Sequence, residues 1–538
     1  MTMRSCFQNA VLVCVCLVAI LLLAQPTNAE VQWDAHEWSA ALGFGDEPGG
    51  MMIYDAKGKA VAMDGAENVY VLGEASTDRY TDAVIYKYNR NNGSVAWFDI
   101  YNHAVSSGFD SYDLAGDIAA DTEGNVYVAI HSGRDGIPQN SYRVIVRKYG
   151  ADHATGNPAL WTYTYNSAFD GDAEARAIAL DAAGNCYVVG EDYGSGLLFK
   201  VNNNGTAGSV NVQQESESPG GWVRFFDVAL DAAGNIYVAG QAQHAVYREI
   251  RQDNIVAKYN SSGVLQWLTY YDGNISVGAR SVLALSPDGQ AVYAAGVYVD
   301  PAERPLWSVV RLHASDGVIQ WNDKFGGSDA SGWSAPTSIA VDASGDVLVA
   351  GSITNTGTGE DMAVVKYQGS PTLNRLWEAS YSGDDPTQME VAVSVGTDSR
   401  RNVYMSGWVR VPKPPDAWAT DVYATIKYPP TGGNPTAILH YRHEDVVPTD
   451  STPAAMVVAP SGAVAVTGKG GLMGGMVTVL YSGVSGREVG DFNGDGCTDF
   501  ADFVFLLENW ATLALGEPAI GFGDFLAMLE NWGKGAGC

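Results

Sequence analysis

One short pattern of apolar and polar positions recurs along most of the chain. In most copies a polar turn opens on Asp, leads into an apolar run of the form Val-Tyr-Val and closes on Gly. The copies begin at residues 64, 121, 181, 231, 286, 342, 398 and 459, so that successive starts lie 50 to 61 residues apart. A period of this length, filled with short strands, predicts one four-stranded blade of a β-propeller per copy.

A second pattern follows the first within each repeat. Strand-like runs end in Lys-Tyr or a relative, as in "DAVIYKY" at 82 and "NIVAKY" at 254, and a Gly-containing turn then leads to a strand that carries Trp. These Trp residues are Trp97, Trp161, Trp267, Trp321 and Trp377. Apolar residues alternate in the runs, as a half-buried strand requires. One repeat is therefore predicted to hold an inner strand, a Val-Tyr-Val strand, a Lys-Tyr strand and an outer Trp strand.

The glycines and the chain ends complete this prediction. Gly and Asn in the polar turn suit a hairpin that needs positive φ, and the closing Gly is expected to allow close packing of blades. The last repeat lacks its Trp strand, whereas "VQW" at 31 copies "LQW" at 265 and "IQW" at 319. Trp33 is therefore predicted on the outer strand of the last blade. The predicted fold is an all-β, eight-bladed propeller closed by the two chain ends, with seven blades and a degenerate segment as the alternative.

The recurring Asp-Gly-Asn, Tyr-Val and Lys-Tyr elements resemble the secreted bacterial β-propeller repeat (SBBP-like) family. The resemblance covers residues 30–484 and implies the fold rather than an activity. Asp82, Asp361 and Asp421 recur just before the third strand, where they are candidate ligands. Their repetition at one blade position favours a structural role in the turn.

The N-terminal residues indicate export. Residues 1–29 hold one early Arg4, the apolar run "VLVCVCLVAILLLA" and the small-residue sequence "TNA" before Glu30, which predict a cleaved signal peptide. The protein is therefore expected to be secreted, extracellular or on the cell surface. No second long apolar segment follows, so no membrane span is expected.

Charge and cysteine content narrow the class of partners. A formal net charge of −30 argues against nucleic acid as a partner.

Beyond residue 29 the cysteines are Cys186, Cys497 and Cys538. Cys186 takes a strand position held by apolar residues in sister repeats, so a buried free thiol is expected there. Cys497 and Cys538 are candidates for a disulfide in an oxidising compartment.

The C-terminal segment carries a calcium-loop motif. "DFNGDGCTDFAD" at 491 has oxygen-bearing residues at alternate positions of a tight loop, and Gly496 stands where the loop must turn sharply. A hard cation takes six or more oxygen ligands, which this spacing supplies. The predicted metal ligands are Asp491, Asn493, Asp495, Cys497 through its backbone carbonyl, Asp499 and Asp502.

A helix-like sequence after the loop occurs twice. "DFVFLLENW" at 502 returns as "DFLAMLENW" at 524. Such a twofold repeat with Asp at loop position 12 resembles the dockerin type I-like family over residues 485–538. The resemblance implies an EF-hand-like calcium domain and a protein partner, either cohesin-like or another surface component. The second half has Leu513, Leu515 and Glu517 in place of the first ligands, so a second calcium site is not expected.

Motifs for catalysis are not found in the sequence. The eight His residues show no metal-binding spacing, there is no Gly-x-Ser-x-Gly sequence, and no catalytic or cofactor-binding residue is assigned. The only acids named for an enzyme are Glu74, Glu191, Asp192 and Glu360, which follow the signature strands. A separate set of Trp residues outside the blade pattern is a candidate sugar-stacking rim: Trp222, Trp333, Trp408 and Trp418.

Three classes of function remain. The first is a non-catalytic binding or scaffold protein, whose propeller engages a glycan or protein and whose tail docks through calcium in a polysaccharide-utilisation context. The alternative is a polysaccharide-degrading enzyme, a glycoside hydrolase or lyase. The third is a quinoprotein-like dehydrogenase, against which stands the lack of adjacent cysteines beyond residue 29.

Overall fold

The structure is a computed structural model that describes residues 36–42, 55–76, 81–102, 111–134, 142–167, 172–217, 221–246, 249–273, 280–329, 331–383, 388–411, 420–441, 451–470 and 475–481. All of them belong to one compact unit that begins at Ala35. The predicted signal peptide and the whole dockerin-like segment, with its calcium ligands and the Cys497–Cys538 pair, lie outside the described residues.

The described strands are arranged as antiparallel four-stranded meanders. The first meander holds β2 (Asp55–Met63), β3 (Val69–Ser76), β4 (Thr81–Tyr88) and β5 (Val95–Tyr101), and the second holds β6 (Ser111–Ala120), β7 (Val126–Arg134), β8 (Arg143–Tyr149) and β9 (Trp161–Tyr165). The third holds β10 (Ala173–Leu180), β11 (Cys186–Asp192), β12 (Ser195–Val201) and β13 (Ala207–Gln214), and the fourth holds β14 (Val223–Leu230), β15 (Ile236–Val246), β16 (Glu249–Tyr259) and β17 (Leu265–Gly273).

The later meanders follow the same order. They are β18 (Val282–Leu285), β19 (Ala291–Val299), β20 (Pro305–His313) and β21 (Ile319–Phe325); β22 (Ala335–Val341), β23 (Val347–Asn355), β24 (Gly359–Tyr367) and β25 (Arg375–Tyr381); β26 (Val391–Thr397), β27 (Val403–Val411), β28 (Thr420–Tyr428) and β29 (Ala437–Tyr441); and β30 (Thr452–Val458), β31 (Val464–Gly470) and β32 (Gly475–Tyr481), completed by β1 (His36–Leu42). Among all these described residues no helix is long and apolar enough to cross a membrane.

The meanders pack side by side in a closed cycle. The first strand of each contacts the first strand of the next, from β2 through β6, β10, β14, β18, β22 and β26 to β30, and β30 contacts β2. One parallel bridge between Thr81 and Tyr112 also joins the first two meanders into a single sheet. Four-stranded meanders packed around a common centre define a β-propeller, as the repeats predict.

The N-terminal strand completes the last blade. β1 pairs antiparallel with β32, so a strand from the start of the chain occupies the outer position that the last repeat leaves empty. In other blades the fourth-strand Trp lies opposite the Lys of Lys-Tyr, as Trp97 does opposite Lys87. The equivalent position of β1, opposite Leu480, holds Trp38. The register therefore assigns this place to Trp38, and Trp33 lies outside the described residues.

The core is divided among the seams between blades. Each of the main hydrophobic clusters draws residues from two neighbouring meanders; for example, Val69 and Val71 of β3 pack with Ala465 and Leu480 of the last blade. The third strands, expected to be half-buried, are instead buried on both faces, and β32 is buried along its whole length. The reason is that a middle strand of each sheet is covered by the sheet on either side.

The signature turn is built by its Asp. Asp231 Oδ1 accepts hydrogen bonds from the backbone N–H of Ala233 at 2.9 Å and of Asn235 at 2.8 Å. Its Oδ2 accepts from the Asn235 side chain at 2.7 Å and from the Tyr237 hydroxyl at 3.1 Å. Gly234 has φ of +78°, which confirms the expected positive φ. The Asp, Gly, Asn and Tyr of the motif therefore serve one turn.

Cys186 and Asp361, one of the recurrent third-strand acids, both have a place in the fold. Cys186 is a buried free thiol, as predicted, and burial raises its pKa above the ordinary thiol value. Asp361 accepts hydrogen bonds from Asn355 Nδ2 at 2.7 Å and Thr358 Oγ1 at 2.8 Å. These bonds close the hairpin between β23 and β24 and agree with a role in the turn.

A Trp side chain of one blade contacts the last hairpin turn of the next blade. Trp267 Nε1 donates to the carbonyl of Ala314 at 3.2 Å, and the same kind of bond joins Trp321 to Ser370 at 3.0 Å. A Cβ placed on Gly317, which has φ of +71°, would lie 2.6 Å from the Trp267 ring. Glycine is therefore required in this turn both for its φ and for the indole that covers it.

We predict that Gly317→Ala destabilises the protein more than Gly289→Ala. Both glycines have positive φ, but nothing lies within 4 Å of a Cβ on Gly289. Gly289→Ala is expected to cost about 1 kcal/mol from the backbone alone, and Gly317→Ala roughly 1–3 kcal/mol more because its methyl group overlaps the indole. Denaturant midpoints followed by circular dichroism measure both losses.

Adding Trp267→Leu to Gly317→Ala provides the control. The double variant is expected to be less destabilised than the sum of its single changes, because each change relieves the other. Equal losses for the two glycine variants would contradict a close contact between the indole and the turn.

Candidate functional site

One equivalent position in every second strand varies widely in chemistry. It is the residue that directly follows the closing residue of the signature. It lies toward the end of the second strand that is farther from the signature turn. Its occupants along the chain are Glu74, His131, Glu191, Gln241, Val297, Ser352, Trp408 and Lys469. Because the neighbouring positions keep the repeat pattern while this one does not, the position is a candidate for function rather than folding.

β-bulges in the first strands bring a second set of side chains to the same end. In every blade except that of β18 the register between first and second strand shifts by one residue, as between Gly58 and Ala60 of β2. The extra residues are Lys59, Gly116, Arg176, Phe226, Thr337, Val393 and Ala454. A bulge turns its extra side chain away from the normal alternation.

The closing Gly of the signature is required by the same bulge. A Cβ on Gly240 would collide with the carbonyl oxygen of Arg224 in the first strand of its own blade, and Gly190 meets Glu174 in the same way. Side chains of the neighbouring blade come next, such as Met362 Cε, 2.7 Å from a Cβ on Gly407. Two constraints therefore require this glycine: the close packing of neighbouring blades, as predicted, and the bulge within its own blade.

Six residues of these two sets, Lys59, Glu74, Gly116, His131, Arg176 and Phe226, help to line a cavity, which we call the mouth cavity. Its volume is about 350 Å³. The lining comes from the first five blades and comprises Lys57, Lys59, Glu74, Leu114, Ala115, Gly116, His131, Glu174, Ala175, Arg176, Phe226 and Arg280. A concave site formed by several elements is the usual place for ligand binding in a folded domain.

The charged side chains at the mouth cavity form two chains of ion pairs. Glu74 receives Lys57 Nζ at 3.1 Å and Lys59 Nζ at 3.8 Å, and it also accepts the backbone N–H of Ala115 at 3.2 Å. Arg176 donates to Glu174 at 2.7 Å, in the first strand of the same blade. Glu74 thus ties the first two blades together as well as lining the cavity.

The second chain continues beyond the cavity. Arg176 also contacts Glu191 at 3.4 Å, and Arg224 reaches the same carboxylate at 2.7 Å. The Arg176 guanidinium lies 5.0 Å from the centre of the Phe226 ring, and the Arg224 guanidinium lies 4.7 Å from the Trp222 ring. One side of the mouth cavity is therefore a platform of stacked aromatic and guanidinium groups.

His131 is the imidazole of the mouth cavity. Its pKa is lowered mainly by burial, while Glu174 and Glu74 act in the opposite direction. Its Nδ1 atom is buried and has no hydrogen-bond partner among the described residues. The lowered pKa favours the neutral form of this imidazole.

Two half-buried carboxylates, Asp117 and Asp227, lie in the first strands next to the bulges. Asp117 accepts the backbone N–H of Ile118 at 2.8 Å and that of Ile178 in the next blade at 3.0 Å. Burial raises the pKa of Asp117 to about 7, and the nearby Asp227 carboxylate adds to this shift. Burial likewise raises the pKa of Asp227 to about 6. The equivalent Ser338 binds the next blade without a charge.

The acids named from the sequence fall into two groups. Glu74 lines the mouth cavity, and Glu191 adjoins it through Arg176. Asp192 is buried and accepts hydrogen bonds from the Tyr165 hydroxyl at 3.0 Å and Gln213 Nε2 at 2.6 Å, which is a structural role. Glu360 does not line the cavity, and burial raises its pKa.

The repeat signature does not reveal the charged residues in and next to the first strands. Lys57, Lys59, Glu174, Arg176 and Arg280 carry most of the charge of the mouth cavity, and none belongs to the signature. A signal was present in two blades, since Lys59 and Arg176 place a charge at the bulge position of their first strands. That position is recognisable only once the first and second strands are placed in register.

The predicted Trp rim lies at the same end of the blades as the mouth cavity. Trp222 and Trp333 both stand two residues before equivalent positions of their first strands, Arg224 and Ala335. Trp222 is half-buried, whereas Trp333 is 42% exposed. Trp408 occupies the variable position after the signature, and Trp418 lies outside the described residues.

A second cavity lies at the opposite ends of the strands. It has a volume of about 420 Å³ between the signature turns of the second and third blades. Two of its acids serve the signature turns, since Asp121 accepts from Asn125 and Asp181 accepts from Asn185. Among the described residues, no three or more His, Cys, Asp or Glu side chains are grouped to hold a metal ion.

Comparisons with known proteins give distant likenesses only. The chain matches no known family model and no curated protein. Among solved structures it is similar to a quinohemoprotein alcohol dehydrogenase from Comamonas testosteroni, at 12% identity and a TM-score of 0.45, over 83% of this chain and 76% of that one. It is also similar to polysaccharide lyase Uly1, at 10% identity and a TM-score of 0.37, over 73% and 93%.

A third similar structure is the WD40 domain of SCAP from fission yeast, at 9% identity and a TM-score of 0.32, over 80% of this chain and 85% of that one. Because all three TM-scores are below 0.5, the assignment of a β-propeller rests on strand order and register.

We predict that the protein loses stability as pH rises from about 4 to about 7 through Asp117 and Asp227. Both carboxyls hold a proton more tightly in the folded chain than in the unfolded one, so unfolding releases protons in this range and becomes easier with rising pH. Thermal midpoints measured across this range are expected to fall less steeply for the Asp117→Ser, Asp227→Ser double variant.

The matched control for this measurement is Asp316→Ser, since Asp316 has an exposed side chain in a turn. It is expected to leave the slope of the thermal midpoint against pH unchanged. A double variant with the wild-type slope would show that the two carboxyls do not titrate with unfolding.

Proposed function

We propose that this is a secreted, non-catalytic binding protein whose propeller engages a carbohydrate at the mouth cavity. The observation that carries the proposal is the mouth cavity itself, in which charged side chains and the Phe226 ring converge from five blades. Trp222 and Trp333 at the same end extend the aromatic surface. Aromatic rings with nearby polar groups suit a sugar, which has apolar faces and a polar edge.

The proposal also covers the number of blades, the organisation of the chain and the location of the protein. We propose eight blades, because eight meanders lie in the described part of the chain and their first strands contact in a closed cycle. The propeller spans residues 30–484 after a signal peptide over 1–29, and its repeats are of the secreted bacterial propeller type. These assignments place the protein outside the cell or on its surface.

The tail adds a second binding function to the proposal. Residues 485–538 form a dockerin-like domain that takes one calcium ion through the loop that starts at Asp491. The loaded domain docks to a cohesin-like protein or to another surface component. A glycan-binding ring and a docking tail together suit a polysaccharide-utilisation context.

A second candidate is a polysaccharide-degrading enzyme, either a glycoside hydrolase or a lyase. The observation that favours it is that Glu74, His131 and Glu174 line one cavity. Carboxylates and a neutral imidazole are the groups that general acid–base catalysis uses. Binding takes precedence because Glu74 is already held by two lysines and a backbone N–H.

The propeller proposal predicts glycan binding without turnover. The purified full chain is applied to a polysaccharide and glycan array, and each bound glycan is incubated with the protein and assayed for new reducing ends and for unsaturated products. Binding with no product is expected, because the carboxylates of the cavity are engaged in ion pairs. Turnover that Glu174→Gln abolishes would establish the enzyme instead, and an array with no bound glycan would contradict both.

The tail proposal predicts calcium binding that depends on the loop. Isothermal titration of the full chain with calcium is expected to give one site, which Asp491→Ala combined with Asp495→Ala removes, because two charged oxygen ligands are lost. Asp316→Ala is the control and is expected to keep the site. Calcium binding that survives the double change would contradict the assigned ligands.

A further inference from the structure

We infer that the mouth cavity recognises an acidic saccharide through a carboxylate of the sugar, with Arg280 as its main partner. This inference rests on the proposed carbohydrate-binding function and names the class of carbohydrate. The geometry that supports it is the pairing of charges at the cavity, in which one cation is left over.

The charge of the mouth cavity is opposite to that of the chain. The whole chain carries 61 acidic against 31 basic residues. The cavity lining has four basic side chains, Lys57, Lys59, Arg176 and Arg280, against two acidic ones, Glu74 and Glu174. A local positive excess in a strongly acidic protein concentrates an anionic ligand at that place and keeps it from the rest of the surface.

Three of the four cations have partners within the protein. Lys57 and Lys59 contact Glu74, and Arg176 contacts Glu174 and Glu191. Arg280, in contrast, is exposed and makes no hydrogen bond or ion pair within the described part of the chain. Its charge acts on the Asp117 carboxyl, whose pKa it lowers, but the two groups do not form an ion pair. An anionic ligand group therefore completes the set of pairs without breaking one that exists.

The backbone next to Arg280 is fixed on one side. Ser281 is fully buried, and its hydroxyl donates to Asn254 Oδ1 at 2.8 Å. Asn254 in turn donates to the carbonyl of Val297 at 2.8 Å. Arg280 is thus attached to a strand start that two neighbouring blades hold in place, which reduces the entropy that binding must remove.

Gly116 leaves room in the cavity between two cationic bulges. The equivalent bulge residues on either side are Lys59 and Arg176, and a Cβ on Gly116 would lie 2.8 Å from the carbonyl oxygen of Ala129. The bulge position of the second blade therefore contributes no side chain here. His131 of the second strand lines the cavity beside it.

Titration calorimetry with matched ligands tests the inference on the full chain. The probes are a short oligogalacturonate, the same oligosaccharide with its carboxylates methyl-esterified, and inorganic sulfate alone. The oligogalacturonate is expected to bind about tenfold or more tightly than its ester, since a hydrogen bond between two charged groups is stronger than one to a neutral ester. High salt is expected to reduce the difference, because the partners are partly exposed to solvent.

The variants assign the effect to Arg280. Arg280→Gln is expected to weaken oligogalacturonate binding about tenfold and to leave ester binding unchanged, because only the carboxylate needs the charge. Arg401→Gln is the matched control, as an exposed arginine in a signature turn at the opposite end of the strands, and is expected to bind like the wild type. Thermal midpoints show that each variant is folded.

Several outcomes would overturn the inference. Equal binding of acid and ester, or an unchanged affinity in Arg280→Gln, would show that the carboxylate is not recognised there. Full displacement by inorganic sulfate would identify a plain oxyanion site and overturn the assignment to a saccharide. If neither probe binds but neutral glycans do, this inference fails while the proposed function stands; if no glycan of any kind binds, both fail.

Discussion

The contact on which the ring depends is made by a tryptophan of one blade and the last hairpin turn of the next. The indole of Trp267 donates to the Ala314 carbonyl and covers Gly317, whose lack of a side chain makes the contact possible. Because the middle strands are apolar on both faces, a single blade exposes two hydrophobic surfaces and needs a neighbour on each side. The pairing of β1 with β32 supplies the last neighbour and removes the open edges of the ring.

The mouth cavity follows from a local departure from regular strand pairing. A bulge near the start of most first strands adds one residue, and the glycine opposite it gives the bulged backbone space. The added side chain and the residue after the glycine then lie at the same end of the blade. Since the repeat constrains neither position, each blade contributes a different group, and the ring as a whole acquires a site that no single repeat contains.

The electrostatics of this site are tightly linked to the fold. Glu74 links the first two blades through its bond to Ala115 and also pairs with two lysines, so its carboxylate has both a structural and a local electrostatic role. Asp117 accepts the backbone N–H of Ile178 and so binds the next blade. A carboxylate used in this way is fixed in position. This favours a role in a rigid binding surface over a role in catalysis, in which the carboxylate would have to gain and lose a proton in each reaction cycle.

The sequence by itself determined the β-propeller, the four strands of each blade, the positive φ of the turn glycines and the buried state of Cys186. These follow from local patterns, because turn chemistry and apolar runs act over a few residues. It also suggested Glu74 and Glu191. Only the tertiary structure decided that Trp38 holds the closing position, that Asp192 is structural, and that Lys59, Arg176 and Arg280 meet Glu74 and His131. The reason is that register shifts and packing between blades bring together residues that are far apart in the chain.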